Sequence, residues 1–472
     1  MPWNPSHGSP VFRLRGWGPP QGGGNMKNRK ILTGLALGAV LVMVAAACGG
    51  KAKTTSSGGT DKCRADKFGC VIIGAGNPIN FGAIASVSGS TAALGTDSDN
   101  GVKLAMDYLD GNFDGRNGTL LGHPVKLTVG DETDPTSGQC GKAGGQTSAT
   151  KLAADPSIVA VIGTNCSSSA LGVSDTILRN KGIVLISPSN TSAKLTAPSF
   201  HNPFYFRTAQ NDAIQAKVVA DFVFTKLGIQ TAATMNDGGP YTSGLTLGFA
   251  TFFKKLGGTI TADEAFDPTT TDFKPLLTSI AQGKPGLIYF PDFDPPCALI
   301  SIQAKQISAL SGVKLMGSDG CNEAAFFKTA KSAADGVYLS SPVASPGAAS
   351  ALYTQFQTAY KAQYGTPQAS FGPNAFDAFN LLKTAIEKVA IKQSDGSLRV
   401  PRTALRDALL GIKDYQGITG PLTCISTGDC QSQLAVNIGV YLSPNAPTNP
   451  AAPNSVPVFQ EKFSLTEALQ QG

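Results

Sequence analysis

From residue 71 onward, short apolar runs alternate with longer stretches in which apolar residues recur every three or four positions. Segment 125–129 alternates apolar and polar residues, which predicts a strand with one buried face, whereas the wholly apolar run 158–162 predicts a strand buried on both faces. The predicted strands are 71–73, 83–85, 125–129, 158–162, 183–186, 232–235, 259–262, 287–290, 313–316, 337–340 and 435–442, and the predicted helices are 101–109, 145–154, 167–180, 213–227, 243–256, 273–282, 298–308, 351–364, 374–391 and 403–410.

The strand–helix rhythm occurs twice, with a restart near residue 207. Strands that alternate with helices form a parallel sheet covered on both faces, and 472 residues exceed what one core usually holds. We therefore predict an α/β fold with two doubly wound parallel-sheet lobes, joined by a hinge of several strands. The expected lobes are 71–207 with 343–410 and 208–342 with 411–443, followed by a Pro-rich tail over 444–472.

The amino-terminal region predicts export. Basic residues after Met26 precede an apolar stretch and three small residues, Ala45 to Ala47, directly before Cys48. This pattern is typical of a lipoprotein signal peptide whose cleavage leaves a lipidated Cys48, and the stretch is short for the alternative, a membrane-spanning anchor. Residues 1–25 form an upstream extension, so Met1 and Met26 are both possible starts. Segment 48–70 is expected to be a flexible, lipidated tether, because its composition provides few apolar groups.

Cysteine usage agrees with an exported protein. The nine cysteines leave an even number once Cys48 is set aside, which suggests disulfides. Metal binding is the alternative, although the chain has no Cys-x-x-Cys pair and only three histidines. The candidate pairs are Cys63 with Cys70, Cys424 with Cys430, Cys140 with Cys166, and Cys297 with Cys321.

Charge and motifs narrow the function. A net charge of +6 without a dense basic and aromatic run gives no support for nucleic-acid binding. The chain has no Gly-x-Ser-x-Gly elbow, His-Glu-x-x-His helix or Walker loop. No cofactor is expected, and an exported hydrolase with a spatially assembled triad remains an alternative.

Three loops at the ends of predicted strands carry polar groups. Loop 163–169 and loop 187–191 are rich in hydroxyl and amide side chains, and loop 317–320 contains one carboxylate, Asp319. Ligands of open parallel sheets bind beyond the carboxyl ends of strands, so these loops predict donors for a ligand carboxylate and an acceptor for an ammonium. Ordinary helix capping is the alternative for each loop taken alone.

The same loops carry a resemblance to a known family. The segments 161–169, 185–191, 237–241, 289–293 and 316–320, with Leu94 and Gly95 before them, resemble the periplasmic leucine/isoleucine/valine-binding proteins in the same order, over nearly all of 71–442. The resemblance implies that Ser167 binds the ligand carboxylate and that Asp319 pairs with the ammonium. It further implies a disulfide between Cys140 and Cys166, and ligand contacts from Ser189, Asn190, Thr191 and Tyr241.

Two departures from the family affect the expected ligand. Phe293 stands where the family usually has a second tyrosine, and Asp319 is one methylene shorter than the family's frequent glutamate. Leu94 takes the position of a family aromatic and is expected to form a pocket wall. The resemblance implies an exported, membrane-anchored protein that captures a branched-chain amino acid, or a related small zwitterion or amide, and delivers it to the permease subunits of an ABC importer. A ligand-sensing subunit of the same fold is the alternative.

Overall fold

The computed structural model describes residues 58–173, 177–343, 351–431, 436–443 and 456–471. The predicted signal peptide, Cys48, the first part of the tether and most of the Pro-rich stretch lie outside these residues. Among the described residues, no helix combines the length and the apolar character needed to cross a membrane.

Strands and helices alternate through most of the described chain. The strands are β1 (Cys70–Ile73), β2 (Ile79–Ala85), β3 (Thr119–Leu120), β4 (His123–Asp131), β5 (Ile158–Gly163), β6 (Val184–Ser187), β7 (Tyr205–Arg207), β8 (Thr231–Asn236), β9 (Thr259–Ala265), β10 (Leu287–Tyr289), β11 (Lys314–Gly317), β12 (Val337–Pro342), β13 (Ile391–Lys392), β14 (Leu398–Pro401), β15 (Tyr415–Gly417), β16 (Gly420–Cys424), β17 (Cys430–Gln431), β18 (Val436–Leu442) and β19 (Phe459–Phe463). The helices are α1 (Gly58–Ala65), α2 (Ala92–Asp107), α3 (Lys142–Ala154), α4 (Ser167–Val173), α5 (Asp212–Asp221), α6 (Thr242–Lys255), α7 (Lys274–Gln282), α8 (Pro296–Ala304), α9 (Ala324–Ala330), α10 (Ala351–Tyr364), α11 (Gly372–Val389), α12 (Arg402–Leu410) and α13 (Leu465–Gln471).

The first lobe is built on a six-stranded sheet of order β3-β4-β2-β5-β6-β7. All neighbouring pairs are parallel except β3 with β4. Every residue of β5 is buried, as the apolar run 158–162 predicts. Helices α10, α11 and α12 pack their apolar faces into the core of this lobe.

The second lobe is built on a seven-stranded sheet of order β19-β18-β12-β11-β10-β8-β9. Strands β8 to β12 are parallel, and β18 and β19 join antiparallel at one edge. The parallel strands of both lobes therefore follow the doubly wound order 2-1-3-4-5. Such sheets bind ligands where the strand order reverses, outside the carboxyl ends of the strands.

Three expected boundaries are wrong. Segment 415–431, assigned to the second lobe, forms the small sheet β15-β16-β17, and its buried Ile418 and Leu422 join the core of the first lobe. In the tail, β19 extends the second sheet by pairing with β18, and its Phe459 and Phe463 pack against the apolar cluster that contains Ile438. At the end of the tether, α1 is tied to β1 by the disulfide Cys63–Cys70, so this part is folded.

The chain passes between the lobes three times, after β7, β12 and β17. A connection of several segments restricts the lobes to opening and closing about one hinge. The carboxyl ends of β2, β5 and β6 in one lobe thereby face those of β8, β10 and β11 in the other.

Candidate ligand-binding site

One cavity between the lobes collects most of the predicted ligand residues. The space between its lining atoms, open solvent included, is about 360 Å³. Seven of the eight predicted residues line it, namely Leu94, Ser167, Ser189, Thr191, Tyr241, Phe293 and Asp319, and they are joined by Asn165, Gly320, Glu323, Ala369, Ser370 and Phe371.

Asn165 connects the two polar loops of the first lobe. Its Nδ2 atom donates to Ser98 Oγ at 2.8 Å and to Ser189 Oγ at 3.1 Å, while its Oδ1 accepts from the Ser86 backbone N–H at 3.1 Å. Ser167, the first residue of α4, accepts at Oγ from the Ser192 backbone N–H at 3.2 Å. The hydroxyl groups of Ser167 and Ser189 are therefore held in place by the protein before any ligand contributes.

A buried carboxylate supports the loop that carries Ser167. Glu132 Oε1 accepts from the backbone N–H groups of Asn165 at 2.6 Å and Cys166 at 3.2 Å. Burial raises the pKa of Glu132 to about 8, although these hydrogen bonds act in the opposite direction and lower it.

The cysteines of the described chain are joined in the four candidate pairs. These are Cys63–Cys70, Cys140–Cys166, Cys297–Cys321 and Cys424–Cys430. Within the described ranges, no group of three or more His, Cys, Asp and Glu side chains is arranged to hold a metal ion.

Asn190 does not line the cavity, contrary to the expectation from the resemblance. Its Oδ1 accepts from Thr164 Oγ1 at 3.1 Å and its backbone oxygen accepts from Arg207 Nη1 at 3.2 Å. Both groups are therefore used inside the first lobe, so Asn190 shapes the loop rather than meeting the ligand.

Arg207 positions the loop 189–192 and was not predicted. This fully buried side chain donates from Nη1 to the backbone oxygens of Asn190 and Ser192, the second at 2.9 Å, and from Nη2 to Thr196 Oγ1 at 2.7 Å. Its charge is balanced by Asp429, whose Oδ1 accepts from Nε at 2.7 Å. A lone arginine at the end of a short strand gives no signal of this role in the sequence.

The second lobe contributes a hydrogen-bonded group around Asp319. Its Oδ1 accepts from Gln215 Nε2 at 2.6 Å and from the Tyr241 hydroxyl at 2.9 Å. The Tyr241 oxygen in turn accepts from the Gly320 backbone N–H at 3.1 Å. Both side-chain bonds to Asp319 end on Oδ1, so Oδ2 remains available to a donor from a ligand.

The electrostatic character of this side of the cavity is acidic. Burial raises the pKa of Asp319, and burial together with the nearby Asp319 charge raises the pKa of Asp212 well above its usual range. A cation placed beside Asp319 favours the ionised carboxylate and opposes both shifts. The site therefore suits a ligand with a positive group at this end.

Part of the cavity lining is apolar. Leu94 packs with Ala369, Phe371 and the partly buried Phe293, and the Phe293 ring lies 5.1 Å from the Tyr241 ring, centroid to centroid. The residues from 369 to 371 and Glu323 were not predicted, because they lie in a connecting loop and at the start of a short helix that carry no motif.

A two-lobed α/β molecule whose polar loops meet across a cavity belongs to the class of solute-binding proteins. The chain is a member of the periplasmic binding protein family, whose sequence pattern matches residues 78–436. This membership makes it an extracytoplasmic binding protein, and it contradicts the alternative of a hydrolase.

The proteins similar to this chain are named for, or bound to, different solutes. The Leu/Ile/Val-binding protein BraC3 of Rhizobium johnstonii is 30% identical over 362 residues, which cover 75% of this chain and 89% of that protein. The isoleucine complex of LivJ from Streptococcus pneumoniae superposes with a TM-score of 0.66 at 23% identity, covering 82% of this chain and all of the other. A benzoate complex of a solute-binding protein from R. palustris reaches 0.65 at 20% identity, covering 82% and 98%. The fold alone therefore does not fix the ligand.

Proposed function

We propose that the protein captures a small α-amino acid between its lobes and delivers it to the permease subunits of an ABC importer. The observation that carries the proposal is the shared cavity: hydroxyl groups of Ser167 and Thr191 from one lobe and the carboxylate of Asp319 from the other line the same space. Both ends of a zwitterion lose water on binding, so each charge needs fixed partners. The first lobe offers such donors to a carboxylate, and Asp319 offers an acceptor to an ammonium.

The names of the relatives supply the first ligands to test. BraC3 is named for leucine, isoleucine and valine, so these three amino acids come first. The proposal is tested by thermal shift and calorimetry on the protein beginning at residue 49, with a panel of amino acids and their amides. A ligand that binds only the folded state raises the melting temperature.

Asp319→Ala is the most informative variant for this proposal. Its loss leaves a desolvated ligand ammonium without its partner, at a cost of about 3–5 kcal/mol, so we expect affinity to fall at least about a hundredfold. Calorimetry with the best ligand of the panel measures the effect, and circular dichroism checks the fold.

The exposed Asp272 of the same lobe provides the matched control, because Asp272→Ala removes a carboxylate that does not line the cavity. It should bind as tightly as the wild type. Equal affinity of Asp319→Ala and the wild type would refute the assignment of Asp319 to the ligand ammonium.

The proposal includes a lipid anchor on Cys48. The small residues before Cys48 and the basic, apolar segment after Met26 support it. We expect Cys48→Ser to move the protein from the membrane fraction to the soluble extracellular or periplasmic fraction, because a thiol is needed to carry the diacylglycerol. A Cys48→Ser protein that remains with the membrane after a high-salt wash contradicts the anchor.

A further inference from the structure

Glu323 is the second acidic side chain of the cavity lining, besides Asp319. It lines the cavity, only 4% of its surface is exposed, and it directly precedes α9. The next backbone N–H, of Ala324, donates to the Gln368 oxygen of the first lobe at 3.4 Å. This bond ties the start of α9 to the loop that carries Ala369 and Phe371.

The carboxylate of Glu323 has no partner that compensates its burial. In the described part of the chain neither of its oxygens accepts a hydrogen bond, and the cavity lining includes no lysine or arginine. The nearby carboxylate of Asp97, unlike that of Glu323, accepts hydrogen bonds from the backbone N–H groups of Phe371 at 2.8 Å and Gly372 at 2.6 Å. Asp294 adds to the acidic surroundings, since its buried Oδ1 also lacks a partner.

The protonation of Glu323 follows from these surroundings. Burial raises its pKa well above the usual range, and the charges of Asp294, Asp97 and Asp319 raise it further. A buried carboxyl group is destabilising unless a hydrogen-bond donor reaches it. An aliphatic ligand side chain against Glu323 completes the burial without supplying that donor, whereas an N–H group supplies it.

We propose that Glu323 determines specificity, and that the ligand is an α-amino acid whose side chain ends in an N–H donor, an amide or a cationic group. This inference rests on the proposed function, because the polar loops must hold the α-ammonium and α-carboxylate for the side chain to point at Glu323. It changes the ligand class from the aliphatic amino acids in the names of the relatives.

Pairs of ligands with the same shape test the inference. Ornithine and norleucine share a chain length and differ in the terminal group, and asparagine and leucine share a branch. We expect the wild-type protein to bind the N–H member of at least one pair about tenfold more tightly or better, since sites built around a polar partner reject analogues that lack it. Calorimetry on the mature protein provides the dissociation constants.

Two variants assign the preference to Glu323. Glu323→Leu should abolish the preference for the N–H ligand, so that the affinity of the N–H ligand divided by that of its aliphatic partner falls to about one or below. Glu323→Gln keeps the shape and an oxygen acceptor but removes the charge, so it should weaken ornithine more than asparagine, and it covers the case in which Glu323→Leu does not fold. The exposed Glu387, paired with Lys383 on α11, gives the control Glu387→Gln, which should keep the wild-type ratio.

The outcomes separate this inference from the proposed function. A wild-type protein that binds norleucine and leucine as tightly as ornithine and asparagine, or a preference that survives in Glu323→Leu, overturns the role of Glu323 and leaves the amino-acid site intact. Binding of no α-amino acid in any pair or panel overturns both.

Discussion

At the scale of single residues, the most connected group near the cavity is Arg207, which touches no cavity surface itself. The Arg207 side chain is fully buried. It donates three hydrogen bonds to the loop 189–192 and Thr196, and one to Asp429. The loop that carries Ser189 and Thr191 is therefore fixed by a cation behind it.

Arg207→Met should damage both stability and binding. The change leaves Asp429 buried without its partner, which costs about 3–5 kcal/mol, and it removes the donors of the loop. The double variant Arg207→Met with Asp429→Leu removes the orphaned charge, so we expect much of the stability to return while ligand affinity stays at least about tenfold weakened, because the loop still lacks its hydrogen bonds. Urea denaturation and calorimetry on the same samples separate the two effects, and a double variant with wild-type affinity shows that Arg207 has no positioning role.

Without the family resemblance, the sequence predicted the site where polar residues directly follow apolar strands. Ser167, Ser189, Thr191 and Asp319 each lie within a few residues of a buried strand, so topology alone brings them to one edge. Glu323 and Phe371 reach the cavity by packing of α9 and of the loop before α11. Such contacts depend on how elements dock, which local patterns do not encode.

At the scale of elements, long periodic segments were predicted and short ones were missed. The predicted helix 351–364 coincides with α10, and the predicted strands of both lobes reappear within a few residues. Helix α2 begins at Ala92, nine residues before the predicted start at 101, because its first turns carry Gly, Thr, Ser and Asp, which lack an apolar period. Their small side chains allow close contact, as at Gly95, where a Cβ atom would meet the Ser86 oxygen at 1.9 Å.

The missed strands share a second cause. Strand β7 has three residues and ends in Arg207, and β15 to β17 have between two and five residues. Their positions are fixed by side chains rather than by periodicity: Asp377 of α11 accepts from the backbone N–H groups of Ile418 and Thr419, both at 2.9 Å. A capping carboxylate more than forty residues away leaves no local trace, which is why segment 411–431 was assigned to the wrong lobe.

At the scale of the whole molecule, the carboxyl groups fall into a buried set with raised pKa values and an exposed set with lowered pKa values. Burial raises the pKa of several carboxyl groups in both lobes, among them Asp97 to about 7, Glu132 to about 8, and Asp294 and Asp377 to about 6. Other carboxyl groups, such as the fully exposed Asp395 and Asp267, have lowered pKa values because neighbouring Ser and Thr residues donate to them. The two sets affect the free energy of unfolding in different ranges of pH.

We expect the unliganded protein to be more stable at pH 5 than at pH 8. An acid whose pKa is raised on folding binds more protons in the folded state, so its contribution is complete below the unfolded pKa and is lost as pH rises through the folded value, here between about 4 and 8. Carboxyl groups with lowered pKa values, such as Asp395, stop contributing to the free energy of unfolding only below about pH 4, outside this window. Urea denaturation at both pH values measures the difference in the free energy of unfolding.

Two variants test the cause of this difference. Glu132→Gln keeps an acceptor for the Asn165 and Cys166 N–H groups and should make the difference between pH 5 and pH 8 smaller, while Asp395→Asn should leave it unchanged. Equal or greater stability at pH 8 contradicts the buried-acid account.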